Sequence, residues 1–172
     1  MNRIAPGSRL TMHVSAIVLS LGMAIDAHSE PVTVDAFVAT KEQIRLDFQD
    51  GSKHFVLMVR RDGRAAGHVP LDGAAVTEYG RHDILPGVEG NPSGYLVFSR
   101  GERDMAYVKW TVRALYVPGG DGKPVLLDNG LWEVVGGTGR FSGLKGGGMM
   151  RIKQLSPVDR QFTLSGDLVT AQ

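Results

Sequence analysis

Between Met105 and Val117, side chains capable of chemistry recur at every second position: Tyr107, Lys109, Thr111 and Arg113. In an extended strand such residues share one face. Turned into a closed interior, Lys109 and Arg113 would need carboxylate partners or an anionic ligand, because unpaired buried charge is costly. Glu133, on the next strand-like run, is a candidate counter-charge. The opposite parity is equally consistent with the letters. Ala106, Val108, Trp110, Val112, Ala114 and Tyr116 then fill the core, and Lys109 and Arg113 form a solvated face. A one-residue slip exchanges the two faces, so spacing leaves both readings open.

His54, His68 and His82 stand in no HxH or HExxH spacing, and the chain has no cysteine. A zinc or other transition-metal site is not expected. Arg81-His82-Asp83 could form an acid–base cluster beside the proline- and glycine-rich stretch Ile84 to Gly94. A surface histidine explains the same letters. That stretch itself reads as a rim, a lid or a solvated connection. No GxSxG elbow occurs in the chain, and no Gly-Lys-Ser or Gly-Lys-Thr marks a phosphate loop. No cofactor is expected.

The elements that must position these residues are marked most clearly by Gly136 to Gly148, where seven of thirteen residues are glycine. Strand-like runs flank it, Leu131 to Val135 before and Met149 to Leu155 after. Gly137, Gly139 and Gly143 give GxGxxxG, not the dinucleotide fingerprint, and no helical period follows. A barrel corner accounts for the glycines, with Phe141 as a large apolar plug. Gly136, Gly137, Gly139, Phe141, Gly143 and Gly146 together resemble the GG[ST]GxFxGxxG signature of the allene oxide cyclase and dirigent-like barrels, including bacterial secreted relatives. The resemblance covers the last 45 or so residues and implies structural roles for these six. It also implies a cavity that steers a reactive small molecule, as in ring closure of an epoxide or coupling of phenoxy radicals, and often a trimer. The families' catalytic carboxylates lie outside the signature, and none is carried over.

The remaining pattern is that of a β protein. Pro31 to Ala39, Glu42 to Phe48, His54 to Arg60, Tyr95 to Ser99, Met105 to Val117 and Gln161 to Val169 all read as strands. Asp50-Gly51, Asp62-Gly63 and Asn129-Gly130 read as tight turns. Crossover helices have no room, so the expectation is an all-β fold, a closed, mainly antiparallel barrel of about eight strands.

Residues 1–29 differ in kind. Arg3 and Arg9 precede the apolar Val14 to Ala24, with small residues at Ala27 and Ser29, the layout of a secretory signal peptide cleaved after Ala27 or Ser29. The apolar run is too short to span a bilayer. Export without cysteine suits a bacterial periplasm or medium. Of 19 basic and 18 acidic residues, the leader holds Arg3, Arg9 and Asp26, so residues 30–172 carry 17 of each. That balance points away from nucleic acid, and residues 30–172 read as one barrel domain. The expected partner is a small apolar or aromatic molecule, and a homo-oligomer is implied by the resemblance. The functional expectation is an exported binding barrel acting as a cofactor-free isomerase or cyclase. Its rival is a non-catalytic envelope protein whose barrel is filled with side chains.

Overall fold

The computed structural model describes residues 29–170, and the expected leader lies outside the described residues except for Ser29. The chain forms β1 (Ser29–Asp47), β2 (Phe55–Gly67), β3 (Ala75–Leu85), β4 (Glu89–Gly90), β5 (Ser93–Ser99), β6 (Met105–Pro118), β7 (Pro124–Gly137), β8 (Lys145–Gln154) and β9 (Asp159–Val169). A single 3-10 turn, Gly139–Phe141, is the other regular element among the described residues. Each long strand pairs antiparallel with the next in sequence, the two-residue β4 preceding β5 at the rim. Pairing of β9 back onto β1 closes the ring, so the fold is an eight-stranded antiparallel barrel. Closure gives every long strand a neighbour on both sides, although β7 and β8 pair only over Gly130–Glu133 and Gly147–Met150.

Strict alternation fills the interior. Val32, Val34, Ala36 and Val38 of β1 point inward, as do Leu96 and Phe98 of β5, Ala106 to Ala114 at even positions of β6, and Phe162, Leu164 and Leu168 of β9. At the end where β1 begins, the lumen is packed solid. Leu71 and Ala74, from the β2–β3 connection, and Phe141 and Leu144, from the β7–β8 connection, close it as a plug. The opposite end, where β1 reaches Asp47 and β9 starts, remains open.

Two expected turns are strand interiors. Asp62-Gly63 lies within β2 and Asn129-Gly130 within β7. In both, glycine serves close strand approach. A Cβ on Gly63 would lie 1.7 Å from the Phe37 carbonyl oxygen, and one on Gly130 would lie 2.0 Å from that of Thr111. The stretch Ile84 to Gly94 is likewise mostly ordered pairing, with β4 bridging β3 and β6. Pro31 to Ala39 and Glu42 to Phe48 merge into one strand carrying a register shift between Thr40 and Glu42.

The glycine signature works as a corner at the plugged end. Gly139 has φ +55°, a left-handed conformation suited to glycine. Asp104, before β6, accepts hydrogen bonds from the Arg140 backbone N–H (3.1 Å) and side-chain Nε (3.2 Å). The Thr138 hydroxyl donates to the Arg103 carbonyl and accepts from the Met105 N–H. Phe141 is thereby held in the lumen, fully buried.

Candidate functional site

The open end of the barrel holds a pocket of about 180 Å³ whose walls come from β2, β3, β6, β7, β8, β9 and the residue before β5. Phe55, Leu57, Ile84, Pro92, Ala114, Tyr116, Leu126 and Ile152 make it largely apolar, while Arg61, His82, Asp128, Gln154 and Arg160 add polar groups. Each polar group interrupts an otherwise apolar inward series. Arg61 follows Leu57 and Val59 on β2, and Glu78 and His82 lie between Val76 and Ile84 on β3. Asp128 lies between Leu126 and Trp132 on β7, and Arg160 precedes Phe162 on β9.

Register brings Arg61 directly opposite Glu78. The Arg61 guanidinium donates to Glu78 Oε2 at 2.6 Å and, through Nε, to the Thr40 hydroxyl at 3.1 Å. His82 Nε2 lies 3.0 Å from Glu78 Oε1 and 3.2 Å from Arg61. Arg61 is 2% exposed, Glu78 0% and His82 9%. A protonated Nε2 donates to Glu78, whereas in the other tautomer Nε2 accepts from Arg61. The three residues therefore form one hydrogen-bonded unit with both Glu78 oxygens engaged. Trp110 packs beside it, its ring 5.9 Å from His82 and 5.4 Å from Phe162.

Asp128 is different. Burial pushes its carboxyl up to about 6, and its Oδ1 is buried with no hydrogen-bond partner among the described residues. A carboxyl titrating near neutrality can hold a proton and release it. Arg160 donates to the Ser156 and Asp159 carbonyls, both at 2.8 Å, and forms no ion pair among the described residues. Desolvation, and secondarily the Arg61 charge, lowers its pKa.

No family model matches the sequence, and no curated protein matches it. Among solved structures, the pterocarpan synthase dirigent protein GePTS1 superposes with a TM-score of 0.52 at 9% identity, over 94% of this chain and 100% of its own. A protein of unknown function from Clostridium acetobutylicum superposes with a TM-score of 0.52 at 6% identity, over 84% of this chain and 98% of its own. The barrel is dirigent-like. At such identities the likeness is one of fold.

The dirigent-like barrel sorts the residues singled out from the sequence by strand parity. His82 points into the lumen. Lys109, Arg113, Glu133 and Tyr107 do not, which corrects the reading that placed them inside: the Trp110 face of β6 is the inward one. Lys109 and Glu133 pair at 3.5 Å on the outer surface. Arg113 pairs there with Glu89 and donates to Asn91 at 2.7 Å. Tyr107, half-buried on the outward side, donates its hydroxyl hydrogen to the Met105 sulfur. The Arg81-His82-Asp83 cluster is also split, because neighbours on a strand face opposite ways. Arg81 and His54 both contact Asp83 at 2.6 Å, and these interactions hold the Asp83 carboxyl below its usual range.

Sequence reasoning missed Arg61, Glu78, Asp128 and Arg160. A signal for them exists: each is a charged residue in the apolar phase of a strand. Ending β2 at a supposed Asp62-Gly63 turn and starting β7 after a supposed Asn129-Gly130 turn removed Arg61 and Asp128 from those phases.

Proposed function

We propose that the chain is an exported barrel that binds a small apolar or aromatic molecule in the open end of its lumen and isomerises or cyclises it without a cofactor. The observation that carries this reading is the half-buried Asp128 carboxyl, its Oδ1 without a partner among the described residues, sharing one largely apolar pocket with Arg61 and His82, which Glu78 ties together. A proton given at one ligand atom by Asp128 and taken at another by His82 would leave the ligand's oxidation level unchanged. Apolar walls would hold the ligand in one conformation and exclude water, the contribution that orientation makes to such reactions. The pocket's size narrows the ligand. Drug-sized ligands occupy about 300–1,000 Å³, so about 180 Å³ suits a single ring or a short chain. Allene oxide cyclase-like chemistry, export and assembly of copies belong to this proposal.

Native mass spectrometry of the protein recovered from cells tests it. The expected result is a reproducible small-molecule adduct, released on denaturation and absent from Ala114→Phe, which fills the pocket from a buried wall position. A spectrum without adduct, still empty after exposure to fatty-acid and phenolic extracts, would establish the side-chain-filled structural barrel instead.

A further inference from the structure

The charges in the pocket do not balance locally. Glu78, behind the wall, has both oxygens committed to Arg61 and His82, and Asp128, the carboxylate that lines the pocket, touches no cation among the described residues. Arg160, half-buried in the wall, spends one terminal nitrogen on two backbone carbonyls, Ser156 in the preceding turn and Asp159 at the start of β9. Its Nε and other terminal nitrogen have no acceptor among the described residues. A partly desolvated guanidinium with donors to spare is the group best suited to a planar oxyanion. The cross-strand neighbours reinforce this. Arg160 lies opposite Val38 on β1 and Gln154 on β8, and two residues along β1 Thr40 faces Arg61. Arg160 and Arg61 therefore project from adjoining positions on the same inner wall, with Gln154 supplying an amide beside them.

We infer that the lumen ligand is a small monoanion, a carboxylate or an enolate-like oxyanion on an apolar body, and that Arg160 is its anchor. This rests on the lumen-binding reading above and specifies its substrate class. The anionic head meets Arg160 and Gln154, while Leu57, Ile84, Tyr116, Leu126 and Ile152 enclose the apolar remainder. Asp128, which lines the same pocket without a cation of its own, then faces the bound anion as a protonated carboxyl. Binding takes up a proton there rather than placing two negative charges side by side.

Titration calorimetry on the full chain tests the inference, using carboxylates from acetate to phenylacetate, each against its neutral amide, at pH 6 and low salt. At least one carboxylate should bind tenfold or more tightly than its amide. Arg160→Gln should bring that carboxylate down to the affinity of the amide and leave the amide unchanged. The other ionisable side chains lining the pocket are Arg61, His82 and Arg160, with Glu78 bonded to Arg61 and His82 behind them. With these present, binding measured in two buffers of different ionisation enthalpy should show proton uptake, and Asp128→Asn should abolish it. Equal binding of acid and amide would overturn the anion assignment and leave lumen binding standing. If Arg160→Gln fails to fold, the wild-type acid-to-amide ratio and the proton uptake still decide. Absence of binding by every probe would overturn this inference, while the native adduct would continue to report on the lumen separately.

Discussion

Arg61 and Glu78 are the most deeply buried charges among the described residues, and their partnership sets what each substitution does. Removing one member leaves the other as an uncompensated buried charge, which costs about 3–5 kcal/mol. Arg61→Met and Glu78→Leu should each lower the urea midpoint by that scale, whereas the double variant should recover most of the loss. Additive losses would refute the coupling. Asp128 acts in the opposite direction. Its carboxyl rises from 3.8 to about 6 on folding. Below 3.8 folded and unfolded chains both hold the proton and the residue is neutral in effect. Between 3.8 and about 6 the native state keeps a proton that the unfolded chain has lost, so stability falls as pH rises. Above that window the penalty stands in full, on the order of 2–3 kcal/mol. Asp128→Asn should therefore match the parent near pH 4 and exceed its stability at pH 8. A difference independent of pH would sink this account.

Among the elements, β2 and β7 show how a strand can look like two. Asp-Gly and Asn-Gly are strong hairpin letters, yet Gly63 and Gly130 serve contact with β1 and β6. Gly130→Ala should destabilise the protein by about 1–3 kcal/mol or more, because its Cβ meets the Thr111 carbonyl oxygen and the Val112 Cα, backbone that no side-chain motion can clear. Thermal unfolding of that variant checks the point, and an unchanged midpoint would place Gly130 in a looser wall. The glycine corner from Gly136 to Gly146 was legible because its spacing is unusual and its role local. Its neighbours Thr138 and Asp104 were not, since their bonds join segments 33 to 36 residues apart. The same limit hid the site: a charge in an apolar phase becomes visible only when the strand around it has the right bounds.

At the scale of the molecule, the barrel divides its labour between two ends. Phe141, Leu71 and Leu144 close one end as a dry core, and the glycine-rich corner from Gly136 to Gly146 belongs wholly to that closure. The open end carries Arg61, His82, Asp128 and Arg160, with Glu78 bonded behind Arg61 and His82, drawn from four strands separated by up to 99 positions in the chain. Alternation, short turns and the glycine corner were enough to determine an all-β barrel, because those signals act between near neighbours. Which face of β6 points inward was not determined by them. Parity has two equal solutions until the ring closes and β9 pairs with β1. Closure turned Lys109, Arg113 and Glu133 to solvent and gathered five charged or titratable side chains around one pocket. Tertiary structure alone decided the site, because its residues meet only across the lumen.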